Sequence, residues 1–331
     1  IKHQPRAAAR FSPTRFAHVC IFLFANVYGM PGTAAELSPA AQLGRQIFND
    51  ASLSASGKQS CASCHDPAHA YAPGNKLAVQ LGGADGQASG YRATPSLRYL
   101  ERNPPFRFDE EGAPNGGINW DGRAASLAEQ AERPFLAAHE MANASTDEVV
   151  ERLRGAPYAQ AFRRVFGDGI FAQPQQALNR ITYALQQFQL EEPHFHRYDS
   201  KYDLYLANKV PLELAELRGL ALFNDERKGN CAACHPSVRG EHGAPPLFTD
   251  FSFDNLGVPR NTRIPATADP AYFDLGLCGP DRTDLAGQRA LCGAFKVPTL
   301  RNVATRLVFF HNGVFDSLVD ALRFYVRRDT H

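Results

Sequence analysis

Cys61-Ala62-Ser63-Cys64-His65 and Cys231-Ala232-Ala233-Cys234-His235 are two copies of Cys-x-x-Cys-His in a chain of 331 residues. Two cysteines at this spacing can add across the two vinyl groups of one haem, and the histidine that follows is placed to bind the iron. The chain is therefore expected to hold two covalently bound haem c groups through Cys61, Cys64, Cys231 and Cys234, with His65 and His235 as iron ligands. The competing reading is a pair of unrelated turns or a zinc site. A four-cysteine zinc site does not need a histidine after each second cysteine, and the two segments share more than cysteines.

Leu43-Gly44-Arg45-Gln46-Ile47-Phe48-Asn49-Asp50 precedes the first motif and Arg218-Gly219-Leu220-Ala221-Leu222-Phe223-Asn224-Asp225 precedes the second, with Gly-x-x-x-Phe-Asn-Asp common to both. Each reads as a helix feeding a haem loop. In the first, Ser38 suits an N-cap and Pro39 the first helical position, with Leu43 and Ile47 on one face. In the second, Pro211 is expected to open the helix, and Leu214, Leu217 and Ala221 form the apolar stripe. A repeated unit in a chain of this length predicts two domains, each around its own haem.

Seven cysteines are present, four of them in the motifs. Cys278 and Cys292 flank one loop and could pair to close it; two free buried thiols are the alternative, less suited to an oxidising compartment. Cys20 lies in the amino-terminal segment. There Arg6, Arg10 and Arg15 precede an apolar stretch from Phe16 to Tyr28, and small residues follow at Gly32-Thr33-Ala34-Ala35. This order describes an export signal over residues 1–35, with the mature chain starting near Glu36 in the periplasm. The apolar run is short for a bilayer and is interrupted by His18 and Asn26, which disfavours a retained anchor or stable membrane insertion. A formal net charge of +1 suggests no nucleic-acid partner.

Helical patterns run near Ala125 to Ala137, Thr146 to Leu153, Pro174 to Gln187 and Ser317 to Tyr325, without sustained two-residue alternation. Gly and Pro cluster at 73–90, 102–117 and 240–281, loops that must pack around something. The expected fold class is all-α: two c-type cytochrome domains with long loops, 36–208 and 209–331, joined by a linker near 198–209.

The order of Leu53-Ser54, Cys61 to His65, Ala93-Thr94-Pro95-Ser96-Leu97, Trp120-Asp121-Gly122-Arg123-Ala124, Cys231 to His235, Lys296-Val297-Pro298-Thr299-Leu300-Arg301-Asn302 and Phe310-His311-Asn312-Gly313 resembles the di-haem bacterial cytochrome c peroxidase and MauG family. The resemblance covers nearly all of the chain after the signal. It implies that the amino-terminal haem meets hydrogen peroxide and that the carboxy-terminal haem is a six-coordinate electron relay.

Peroxide cleavage needs an open axial position and a group that moves a proton between the two peroxide oxygens. By the resemblance, Glu140 matches the family's distal acid, and Gln130 and Pro134 match two further distal-pocket positions, all counted from Trp120. From the residues alone Glu140 reads as a solvated carboxylate at a helix end. Trp120, the single tryptophan, reads either as core filling or, by the resemblance, as a ring between the haems that relays an electron hole. His311 is expected, by analogy, to hydrogen-bond near a haem propionate or backbone.

The peroxidases of this family that draw electrons from small cytochromes carry a methionine ligand fourteen residues after the histidine corresponding to His311; here that position is Tyr325. Met30 lies in the signal and Met141 beside Glu140, so neither is free for the role. Tyr325 is expected on the same buried face as Leu318, Ala321 and Leu322, on a helix that Ser317 and Asp320 start. It is thus a haem ligand or a core tyrosine on the haem edge. A phenolate stabilises ferric and higher states, where a thioether favours ferrous iron. Some relatives block the peroxide site with a histidine sixteen residues after the first haem histidine; Leu81 stands there, so the first haem is expected to be open. His69 is expected to be a loop or propionate-region residue, and His194, His196 and His242 ordinary surface or linker residues.

Three segments, Asn255 to Arg260, Asp269 to Gly279 and Arg323 to Thr330, further resemble MbnH-type di-haem enzymes, which oxidise a tryptophan of a copper-associated secreted partner. The family's interhaem calcium uses an asparagine where this chain has Tyr99, and carbonyls in the region reading Thr305-Arg306-Leu307-Val308. A Ca2+ here would need carbonyls, water or a propionate instead. The chain stops six residues after Tyr325, where relatives usually continue, which is consistent with a fragment.

The leading expectation is a periplasmic di-haem oxidoreductase that uses hydrogen peroxide to form a high-valent di-haem state and oxidise a partner protein through Trp120. The runner-up is a cytochrome c peroxidase supplied with electrons by a small redox protein. A non-enzymatic electron carrier is third, and would leave Glu140 and Gln130 without a chemical task.

Overall fold

The computed structural model describes residues 36–328. The export-signal reading of residues 1–35 and the tail from Asp329 lie outside them. Chain order gives helices α1 (Pro39–Asn49), α2 (Cys61–Cys64), α3 (Leu127–Leu136), α4 (Thr146–Arg154), α5 (Ala159–Phe166), α6 (Pro174–Glu191), α7 (Lys201–Leu206), α8 (Leu214–Asn224) and α9 (Leu318–Arg327). Three two-stranded antiparallel ladders, each strand two residues long, punctuate the loops: Leu81–Gly82 with Ala88–Ser89, Arg107–Phe108 with Pro114–Asn115, and Phe253–Asp254 with Phe295–Lys296. The fold is mostly helical rather than purely so. The short ladders escape an alternation search because two residues cannot show a period.

The first half is built on α6. Its Ala177, Leu178, Ile181, Ala184, Leu185 and Phe188 make a buried stripe with helical spacing, against which α1, α3 and α4 pack. Helix α1 begins as its sequence predicts: Pro39 is the first residue and the Ser38 Oγ accepts from the Ala41 amide at 3.2 Å. The same Ser38 donates from its amide and hydroxyl to the Glu191 carboxylate at the end of α6, at 2.7 and 2.8 Å. At mid-helix a Cβ on Gly44 would stand 1.9 Å from the Ala184 carbonyl oxygen. The glycine shared by the repeat therefore lets two backbones touch in the first copy.

The second copy differs. Helix α8 starts at Leu214 with Glu213 as cap, not at Pro211. None of its residues is buried, and Leu214 is 79% exposed. Local pattern gave the helix, whereas among the described residues its stripe is left uncovered. The expected linker likewise contains α7, started by a Ser200–Asp203 capping box. Asp203 and Arg301 form a buried, two-pronged ion pair at 2.7 and 2.9 Å that ties α7 to the 296–302 segment.

Candidate haem sites

Both motifs coil into one tight turn. In α2 and in the 3-10 turn Cys231–Ala233, the amide of the motif histidine donates to the carbonyl of the first cysteine, at 2.9 Å in each copy. Four cysteines, Cys61, Cys64, Cys231 and Cys234, are free, and Cys278 and Cys292 are disulfide-bonded. His65 Nδ1 lies 3.0 Å from the Tyr71 carbonyl oxygen and His235 Nδ1 lies 2.7 Å from that of Phe248. A carbonyl only accepts, so each Nδ1 carries the proton and each Nε2 keeps its lone pair for a metal. Burial lowers both imidazole pKa values, that of His65 to about 4, which keeps both rings neutral as ligands must be.

Further observations bear on whether a haem fits. Arg306 is half-buried near His65, bonds only carbonyls (Val308 and Thr94), and desolvation lowers its pKa to about 10. Arg98 Nε is buried without a hydrogen-bond partner. Guanidinium groups short of anionic partners suit haem propionates. Around the second motif the apolar Leu217, Leu222, Leu322 and Val326 are exposed on α8 and α9, an apolar lining of the kind a macrocycle covers. The residues fit two haems.

Glu140 lies at the first motif: its charge acts on the Cys61 and Cys64 thiols. Its side chain retains 41% exposure, yet desolvation raises its pKa, opposed by Arg133 and Arg123. It follows a turn at the end of α3, in which Met141 N donates to the Pro134 carbonyl at 3.0 Å. Gln130 and Pro134 sit one turn apart on α3, so they share a face. Leu81 is exposed in its short strand. His69 pairs with Asp66 at 2.7 Å within its loop.

Trp120 is half-buried, not fully so. Its Nε1 donates to the Ala93 carbonyl at 2.7 Å, and the Ala93 amide donates to the His311 carbonyl at 2.7 Å. The Lys296 amide donates to the Trp120 carbonyl at 2.8 Å. The indole is thereby held between segments from both halves of the chain. The His311 ring stacks on Phe295 with centroids 3.6 Å apart, a contact the sequence did not suggest.

Tyr325 lies on α9 within reach of the charges of Cys231 and Cys234, and desolvation pushes its pKa up to about 12. The structure therefore brings it to the second motif. The expectation that its face is buried is corrected: Leu318, Leu322 and Tyr325 are exposed, Tyr325 by 42%, and Ala321 alone of the four is buried. The Tyr325 ring is met by Phe310 and Phe324, with centroids 5.7 and 5.9 Å away, which leaves it partly covered. Tyr99 is engaged elsewhere, its hydroxyl donating to the Arg197 carbonyl at 2.5 Å. Among the described residues no group of three His, Cys, Asp or Glu side chains could hold a metal ion.

Two features escaped the sequence reading. Lys296 is half-buried, donates to Asn103 Oδ1 at 2.9 Å and the Gly117 carbonyl at 2.6 Å, and loses basicity to a pKa of about 7 through desolvation. Arg92, Asp121, Asp274 and Asp281 form a buried charge cluster. Spacing gives no signal for either, since the partners lie up to 193 residues apart.

Paired haem-binding turns, each with a carbonyl-oriented histidine, on a mostly helical scaffold define a di-haem oxidoreductase of the c-type class. Residues 38–210 match the family model described as di-haem cytochrome c peroxidase. Methylamine utilization protein MauG of Paracoccus denitrificans is 37% identical over 317 residues, 92% of this chain and 80% of that protein. The chain belongs to the di-haem cytochrome c peroxidase and MauG family, and is a peroxidase-type oxidoreductase. The diheme peroxidase BthA from Burkholderia thailandensis superposes with a TM-score of 0.80 at 37% identity, covering 88% of this chain and 72% of that one. A MauG-like protein associated with microbial copper homeostasis superposes at 0.62 with 28% identity, covering 89% and 78%.

Proposed function

We propose that the protein is a periplasmic MauG-like or MbnH-like enzyme that uses hydrogen peroxide to oxidise a partner protein, with tryptophan as the candidate target. The observation that carries this reading is Tyr325 at the second motif, where reductant-fed relatives place methionine. No helix among the described residues is long and apolar enough to cross a membrane. In this reading, 36–208 and 209–331 are the two haem modules, attached through their motif cysteines. The haems, when bound, supply the redox chemistry that splits the peroxide O–O bond and stores its two oxidising equivalents.

The protein's own groups do the rest. Glu140 takes a proton from the near peroxide oxygen and returns it to the departing one; its raised pKa brings it closer to the working range of such a group. Gln130 and Pro134 line the same pocket, one polar and one apolar. Trp120, tethered to Ala93 and through it to His311, passes oxidising equivalents between the modules. Tyr325 would supply its phenolate oxygen to the second haem when that group is bound, favouring the oxidised side of the couple.

The test is incubation with peroxide and a periplasmic extract, followed by a mass-spectrometric search for oxygen-bearing tryptophan in other proteins. Peroxide consumption that needs a small reduced cytochrome or copper protein, with no protein modified, would instead favour the cytochrome c peroxidase reading, which the family's own description supports. The resting ferric protein should show one high-spin haem, at His65, and one low-spin haem, at His235. Two low-spin haems with histidine or methionine signatures would remove both the Leu81 and the Tyr325 arguments.

A further inference from the structure

The loop closed by Cys278–Cys292 belongs to the second half of the chain, yet its Asp281 reaches the peroxide site of the first. Asp281 is buried, its side chain 7% exposed. One carboxylate oxygen accepts from both the Tyr91 hydroxyl and the Arg133 guanidinium of α3. The other lies 3.2 Å from Arg123. Arg123 and Arg133 are the two cations that act on Glu140, and the Tyr91 ring packs on His139, its neighbour, at 5.2 Å.

The loop is also rigidly seated. Arg92 forks onto Asp274 with two bonds of 2.7 Å and reaches Asp121, beside Trp120, at 2.6 Å. Arg282 donates to the Asp121 carbonyl at 3.0 Å and stacks over Phe106. Leu277, Leu285 and Ala294 form a small core beneath. Asp281 is thus held at a fixed place rather than on a swinging loop.

We propose that Asp281 is a positioning residue of the peroxide site, gathering Arg133 and Arg123 into ion pairs and so setting how readily Glu140 takes up and releases a proton. This rests on the reading of Glu140 as the acid-base group of that site. The charged and titratable groups facing Glu140 are Arg133 from α3, Arg123 from the Trp120 loop, Asp281 from the disulfide loop, the adjoining His139, and Cys61 and Cys64 of α2. Among them Asp281 is the carboxylate paired with both arginines, Asp121 pairing with Arg123 as well. Without it, Arg133 would lose its counter-charge and Arg123 would keep only Asp121, at 2.8 and 2.9 Å, which favours the ionised form of Glu140 and makes it a weaker base.

Two variants of the haem-loaded protein test this with opposite signs. Asp281→Asn should move the protonation midpoint of Glu140 down by about one pH unit, and Arg133→Gln, which removes a cation, should move it up by a similar amount. The midpoint is read by infrared titration of the carboxyl band that disappears in Glu140→Gln, and separately as the acid limb of the peroxide rate. Asp281→Glu should restore the wild-type midpoint. A merely structural role would move both variants the same way or neither, and either result overturns the proposal. Should Asp281→Asn not fold, Asp281→Ser removes the same charge with a smaller side chain: a downward shift supports, an unmoved midpoint overturns. If Glu140→Gln leaves the peroxide rate unchanged, the acid-base reading fails, while the infrared midpoint still reports on Asp281.

Discussion

Glu140→Gln should slow the reaction with peroxide by about two to four orders of magnitude, the usual worth of a positioned acid-base group. The substitution keeps shape and hydrogen-bonding capacity but removes the carrier of the proton. The resting ferric spectrum should barely change, because His65 keeps its Nδ1 bond to the Tyr71 carbonyl. Rapid-mixing measurement of peroxide decay separates the two claims. A wild-type rate would make Glu140 a partly solvated carboxylate at the end of a helix turn, which is how it reads from its local sequence.

Tyr325→Met should raise the potential of the second haem, because thioether donation favours ferrous iron where a phenolate favours ferric. Peroxide should still react at the first haem, whose His65 and Glu140 are untouched. Oxidation of a protein partner should be lost, while oxidation of small reductants survives. The substitution is tolerable, since Tyr325 is 42% exposed and its ring neighbours Phe310 and Phe324 are apolar partners a methionine can also meet. Redox titration followed by partner mass spectrometry is the measurement. A variant that keeps the wild-type low-spin spectrum and still modifies its partner would show that Tyr325 is not the ligand.

The buried Asp203–Arg301 and Asp281 clusters place two polar keystones between distant parts of the chain. Neither has a local signature, because an ion pair across the fold is a property of two surfaces meeting. The Trp120 tether is of the same kind: its acceptor is a backbone carbonyl, which any residue at position 93 supplies.

The sequence by itself determined the cofactor chemistry and the local elements that carry it. Cys-x-x-Cys-His is a pattern complete within five residues, and the caps at Ser38 and Ser317 act within a single turn, so all are legible without a fold. Helices α1, α3, α4, α6 and α9 accordingly appear close to where periodicity predicts. Helices α5 and α7 went unread, being short and anchored by tertiary contacts. Only the tertiary structure decided what surrounds those elements. Similar sequence made α1 a buried helix and α8 an exposed one, because α6 covers the first while, among the described residues, the second has no buried side chain. It likewise decided that Tyr325 faces its motif from a half-open surface, and that a carboxylate 141 residues further along the chain controls the arginines beside Glu140. Burial and long-range charge depend on which surfaces meet, and a linear pattern does not record that.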